Sequence, residues 1–312
     1  MPSTATPKGL ICSLALVESA SSPGNYQGLK ALIARLRPAV AGLLLDPMFW
    51  RPDPHYCGPV SAALLEEVIG LIPPHLPLWV RITGNTAEQT IHICQQLETV
   101  CRRLRFRGPL AWVDTPLFYH SNRGLPEYYQ ILLSRTEFCV LLDNDPELLR
   151  KVTGKAKRKN IRTAVLKKLS QQPRLAGLLH RGDLRRGMNY QKAVRNRPDF
   201  LIYDASERHF LERPSASGVI SVGANLLPHD WRIITMASLN PEESGQTRSN
   251  RFRLLWEAGQ RVRALHKHYR HAPTRIIPAV LAAWGLVQGD GQSLDPTDRK
   301  AVERILHHTP EL

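Results

Sequence analysis

The sequence has no CxxC pair, and none of its five cysteines, Cys12, Cys57, Cys94, Cys101 and Cys139, stands at a zinc-like spacing from a histidine. That argues against a disulfide framework and a structural zinc site, and it fits a reducing, cytoplasmic setting. Long apolar runs are also missing. The run at residues 10–17 follows a single lysine, Lys8, and stops at Glu18 after eight residues. A membrane span needs about twenty apolar residues and a secretory leader a more basic start, so the run reads as a buried strand and no membrane partner is expected. No glycine-rich phosphate fingerprint follows it, which argues against a dinucleotide-binding sheet. Repeats and low-complexity linkers are absent as well.

Acidic residues are scarce in one stretch. Residues 150–197 carry sixteen Lys and Arg against one acid, Asp183, and the rest of the chain is formally neutral, so the net charge of +15 belongs to that stretch. A basic block in a balanced chain is one element with its own task or merely its own composition. It has no interleaved aromatics and no RNA-binding or zinc-finger signature. A solvated helix face is therefore the default reading, and a nucleic-acid contact through 150–197 is the weaker alternative. The excess of 31 arginines over 11 lysines is also what a biased gene composition alone would produce.

Apolar residues make up 43% of the 312, enough for a sizeable core and too many for a disordered chain. The length permits one large barrel or two modest domains. Near-continuous apolar runs fall at 11–17, 40–45, 76–83, 109–114, 137–143, 175–180, 199–204 and 218–223, as expected of parallel strands covered on both faces. Helical patterns lie between them. Asn85-Thr-Ala-Glu88 reads as a capping box, Asp145-Pro146 as a cap before a first-turn proline, and Asp183 and Ser206 can cap two more helices. This alternation predicts a (β/α)8 TIM barrel over 1–240. Helices at 242–269, 274–284 and 296–307 then form a C-terminal helical extension, 241–312, packed on the barrel.

One segment, Gly218-Val-Ile-Ser-Val-Gly-Ala-Asn225 followed by Leu-Leu-Pro228, resembles the last-strand motif of the dihydrodipicolinate synthase / N-acetylneuraminate lyase family. Thr115-Pro-Leu-Phe-Tyr119 with Gly124-Leu-Pro-Glu-Tyr-Tyr129 is similar to that family's fourth-strand segment, Leu142-Asp-Asn-Asp-Pro146 to its Tyr-Asn-x-Pro segment, and Gly84-Asn-Thr-Ala-Glu88 to the loop after its third strand. The resemblance implies a class I aldolase or lyase barrel. In such a barrel a lysine at the end of the sixth strand forms a Schiff base with a 2-oxo acid, and a tyrosine at the end of the fifth relays protons. Residue by residue, the catalytic pattern departs. Leu179 stands at the lysine position, Asp143 at the tyrosine, Leu117-Phe118 at a tyrosine pair, and Leu45-Asp-Pro-Met-Phe-Trp50 where a carboxylate-binding loop is expected. Lys151 and Lys155 follow the fifth strand and are the nearest candidates for a migrated amine.

Strand C-termini form one concave face in a barrel. The polar residues falling there are Asp46, Thr83, Asp114, Asp143, Asn144, His180, Arg181, Asp204 and Asn225. The aspartates with His180 could hold Mg2+ or Mn2+. Strand-end aspartates commonly cap the next helix, however, and no two of these share a ligand spacing, so neither metal nor cofactor is expected. His180 and Arg181 could hold a small carboxylate or phosphate, or form a solvated strand end tied to Asp183. Phe118, Tyr119 and Tyr203 could line a pocket or simply pack.

The resulting expectation is a divergent lyase/aldolase-type barrel without ordinary Schiff-base catalysis, acting on or binding a small 2-oxo acid or related anion. Asp143 and His180 are its candidate catalytic groups, and Asp46, Phe118, Tyr119, Asn144, Arg181, Tyr203 and Asn225 its candidate ligand-binding residues. If active, it would be a carbon-carbon or carbon-oxygen lyase; the alternative is a pseudoenzyme that binds a small anion or a partner without turnover. The resemblance also implies a homodimer or homotetramer.

Overall fold

Eight parallel strands close into a barrel in the computed structural model, which describes residues 6–308 except 17, 20–21, 27, 51–58, 154–158, 241–247 and 288–293. They are β1 Gly9–Ser13, β2 Gly42–Leu45, β3 Leu78–Arg81, β4 Leu110–Asp114, β5 Cys139–Asn144, β6 Leu175–His180, β7 Leu201–Asp204 and β8 Gly218–Ser221. Each pairs with its sequence neighbours, and β1 closes on β8 from Gly9 opposite Gly218 to Cys12 opposite Ser221. That seam requires glycine: Gly218 has φ 120°, and a Cβ there would sit 2.0 Å from the Gly9 carbonyl oxygen. All eight expected runs hold a strand. The observed strands are mostly shorter than these runs, the ladder leaving out apolar run ends such as residues 14–16 and Ile82. Among the described residues a small antiparallel hairpin, Glu18–Ser19 with Ser22–Tyr26, also follows β1.

Strand parity divides the core in two. Outward side chains such as Leu43, Val80, Trp112, Leu142 and Leu178 join the helices in one large cluster. Inward side chains, among them Ile11, Leu44, Trp79, Val113, Leu141, Leu179, Tyr203 and Ile220, form a separate cluster that fills the lumen. Each fully buried Leu or Ile contributes roughly 1.5–3 kcal/mol from burial, so the lumen is a packed core and not a channel.

The helices start where their caps allow. Asp145 Oδ1 accepts from the amides of Glu147 and Leu148 at the head of Pro146–Thr153. Asp183 and Ser206 cap Leu184–Val194 and Glu207–Glu212. At the third-strand loop the cap lies one residue later than expected: Thr86 accepts from the Gln89 amide, and the Gln89 side chain reaches back to the amide of Asn85. After β8 come helices Pro228–Leu239, Arg248–Tyr269, Pro273–Ala283 and Pro296–His308. Tyr269 donates to Glu207 Oε2 at 2.9 Å, joining this extension to the strand C-terminal end of the barrel. Among the described residues no helix is long and apolar enough to cross a membrane.

Candidate ligand site at the barrel mouth

Two residues beyond each inward apolar position, the pleat returns an inward side chain at the strand C-terminus. From β1 to β7 these are Ser13, Asp46, Arg81, Thr115, Asp143, Arg181 and Ala205. One step along the lumen, the lining thus changes from apolar to mostly polar and charged.

Arg81 is the centre of this layer and is only 3% exposed. Its Nε and Nη2 donate to Asp46 Oδ1 and Oδ2 at 2.6 and 2.7 Å, Nη2 also reaches Asp143 Oδ2 at 2.7 Å, and Nη1 bonds Thr115 Oγ1. Burial alone would lower the Arg81 pKa, but Asp46 and Asp143 outweigh it and push it up. Arg181 follows on the far side of Asp143. Its Nε lies 3.7 Å from Asp143 Oδ1 and 3.1 Å from Asp145 Oδ2, its Nη1 donates to the Ala205 carbonyl at 2.9 Å, and its guanidinium sits over the Phe49 ring at 6.0 Å. Here too burial acts downward on the pKa, and Asp143 and Asp145 carry it up. Burial raises the Asp145 pKa, with Arg181 opposing. Charges therefore alternate across the mouth in the order Asp46, Arg81, Asp143, Arg181, Asp145. Asp143 Oδ1 is buried without a hydrogen bond.

Two cavities, of about 440 and 660 Å³, open at this layer, and Phe49, Glu147, Arg181, His271 and Pro273 line both. The smaller reaches Ser13, Glu207, His266 and Tyr269. The larger reaches Asp46, Arg81, Asp145 and Thr274. The turn between the second and third C-terminal helices roofs them both, so the extension is part of the site.

Of the expected site residues, Asp46, Asp143 and Arg181 meet here. The others go elsewhere. His180 and Asn144 follow inward residues directly, so parity turns them outward. His180 packs edge-on against Tyr190 with Nε2 3.2 Å from the Asp183 carbonyl, and burial lowers its pKa. Asn144 holds the amide of Ile161 at 2.8 Å and the side chain of Asn160 at 2.9 Å. Tyr119 donates to Asp114 Oδ2, which also takes the Tyr129 hydroxyl, both at 2.7 Å, in a polar cluster behind β4. Tyr203 points down the lumen and donates to the Pro7 carbonyl at 2.8 Å. Asn225 spends both side-chain atoms on backbone, accepting from the Ala15 amide and donating to the carbonyls of Ser13 and Val222. Phe118 is half-buried in a 3-10 turn and lines neither mouth cavity. Arg81 and Glu147 were missed, and Asp145 was read only as a helix cap. The signal for Arg81 was a lone charge two positions past Trp79 inside an apolar run.

Leu179 is fully buried in the apolar lumen layer directly below Arg181. The described lysine side chains are exposed apart from Lys159, which is half-buried. Those of Lys151, Lys155 and Lys157, like Arg158 and Cys57, lie outside the described residues. Several basic residues of 150–197 serve the fold: Arg174 donates to the carbonyls of Thr136 and Leu133, and Arg197 to that of Ser170. Among the described residues no group of three His, Cys, Asp or Glu side chains is placed to hold a metal ion.

The barrel with its C-terminal helices has counterparts among solved structures. A dihydrodipicolinate synthase from Bacillus anthracis superposes with a TM-score of 0.74 at 14% identity, over 97% of this chain and 99% of that one. The chain has the dihydrodipicolinate synthase fold. The enzyme from Agrobacterium tumefaciens agrees equally, with a TM-score of 0.74 at 14% identity over 98% and 99% of the two chains. That from Bacteroides thetaiotaomicron gives 0.71 at 18% over 97% and 98%. The sequence matches no protein-family model and no curated protein.

Proposed function

We propose that the chain is a divergent member of the dihydrodipicolinate synthase / N-acetylneuraminate lyase family that has given up imine chemistry and binds a small carboxylate at its mouth through Arg181. One observation carries this. On the inward face of β6, Leu179, which the sequence resemblance sets at the imine-lysine position, is packed in the apolar lumen, and the next inward position is Arg181, which lines both mouth cavities. A leucine cannot form an imine. A guanidinium at a cavity wall is a good carboxylate anchor, because its planar fork matches two oxygens.

The reading favours binding over turnover, since Asp143, which the resemblance sets at the proton-relay position, is tied to Arg81 at 2.7 Å. That contact commits one Asp143 oxygen to the buried Arg81 and away from a substrate. An altered lyase mechanism remains the second reading, favoured by the unbonded Asp143 Oδ1 beside Arg181. The buried thiols of Cys12, Cys94, Cys101 and Cys139, none of them in a disulfide among the described residues, accord with a cytoplasmic setting, and a homodimer or homotetramer is carried over from the family.

Borohydride reduction in the presence of pyruvate tests the proposal, together with calorimetric titration of pyruvate. The expected outcome is no covalent adduct, and binding that Arg181→Gln abolishes. An adduct, or binding indifferent to Arg181, would overturn it.

A further inference from the structure

The mouth has more negative charge than a simple anion site would tolerate. Asp46, Asp145 and Glu147 stand in its inner wall and Asp143 directly behind it, four carboxylates against the two guanidinium groups of Arg81 and Arg181. Arg81 is consumed by Asp46 and Asp143. Of the rim cations, Arg208 pairs with Glu212 at 3.1 Å and Arg275 with Asp295 and Asp298 at 3.1 Å each, while Arg270, at the smaller cavity alone, donates to His271 Nε2 at 2.9 Å and keeps its charge. Two groups of opposite charge keep uncommitted polar atoms in the wall that the cavities share. Arg181 Nη2 carries no hydrogen bond among the described residues, and the Glu147 carboxylate has neither ion pair nor hydrogen bond among them. Phe49 and Pro273 supply the apolar part of the same wall.

We propose that the ligand is a zwitterion, a small α-amino acid, whose carboxylate sits on Arg181 and whose ammonium sits on Glu147, with its side chain against Phe49 and Pro273. This rests on the carboxylate anchor at Arg181 and names the class of ligand it takes. A 2-oxo or 2-hydroxy acid satisfies Arg181 but leaves Glu147 and Asp145 facing a further negative charge. An ammonium group turns that repulsion into a charge-assisted hydrogen bond. Cavities of about 440 and 660 Å³ have ample room for such a molecule.

The test is calorimetric titration with matched pairs, L-leucine against 4-methyl-2-oxopentanoate and L-alanine against pyruvate. The amino acid is expected to bind about tenfold more tightly than its oxo acid, the worth of one added charge-assisted contact. Glu147→Gln should weaken amino-acid binding and leave oxo-acid binding no weaker, so that the preference for the amino acid disappears. Because Glu147 is exposed on the first turn of its helix, this variant keeps the fold. Equal or tighter binding of the oxo acid, or a preference that survives Glu147→Gln, overturns the zwitterion and leaves the Arg181 anchor standing. If neither ligand binds, both proposals fall.

Discussion

Arg81 on β3 and Asp143 on β5 meet at 2.7 Å inside the barrel, each almost wholly removed from solvent, and Asp46 completes the cluster from β2. Two carboxylates share one guanidinium there. Breaking such a cluster is costly because the partners left behind cannot be hydrated. Arg81→Met is therefore expected to lower unfolding free energy by about 3–5 kcal/mol, read from urea denaturation. Making Asp46 and Asp143 leucine as well should recover most of that loss, since replacing a whole buried ionic cluster with apolar side chains is often neutral. A single-variant loss below about 1 kcal/mol, the range of exposed pairs, would mean that these charges are hydrated.

Leu179→Lys asks whether one side chain separates this barrel from imine chemistry. The position is fully buried beside Trp79 and Tyr203, whose rings meet edge to face at 5.0 Å. A lysine there brings an ammonium into an apolar layer directly below two arginines. We expect a stability loss of roughly 3 kcal/mol or more and no borohydride-trapped adduct with pyruvate. A trapped adduct would show that the lumen still admits a 2-oxo acid to this depth.

The strands and the residues at their ends were legible because each strand is a nearly uninterrupted apolar run whose polar end marks the barrel rim. Which way a strand-end residue faces was not legible from the rim alone. Asp143 and Asn144 are neighbours, as are His180 and Arg181, yet the pleat sends one of each pair into the lumen and the other behind the sheet. Counting by twos from Leu141 and Leu179 separates them. That count would also have exposed Arg81, which hid in the run at 76–83. Glu147 and the roof at His271 and Pro273 could not have been joined from sequence, because more than a hundred residues separate them and only closure of the barrel under the C-terminal helices brings them to one wall.

Asn225 gives a sharper test of placement. Both of its side-chain atoms hold backbone of β1 and the β8 turn, at 2.7–3.0 Å, with the residue fully buried. Asn225→Ala leaves the Ala15 amide and the Ser13 carbonyl without these partners, so a loss of about 1–3 kcal/mol is expected. Carboxylate affinity at a temperature where the variant is folded should not change. A selective loss of affinity there would return Asn225 to the ligand site.

His266 supplies a pH-dependent prediction from the junction of barrel and extension. Its ring stands edge-on to Tyr269 at 5.3 Å, and burial, reinforced by Arg270, Arg208 and His271, pushes its pKa down to about 4. Glu207 lies 3.7 Å from Nε2, but burial pushes that carboxyl up, so the contact is not a strong ion pair and the imidazole is neutral at pH 7. Between about pH 6.5 and 4 the unfolded chain then binds a proton at this histidine that the folded chain does not. The stability that His266 contributes is present above pH 6.5 and is lost as pH falls through that window. Glu207 acts in the opposite sense, its contribution declining as pH rises, so the histidine must be isolated by difference. His266→Phe keeps a ring against Tyr269 and removes the titration. Relative to the parent it should gain about 1–2 kcal/mol in unfolding free energy between pH 7 and pH 4, once residual solvent screening is allowed for. Denaturation curves that stay parallel across that range would show His266 protonating as readily in the folded chain as in the unfolded one.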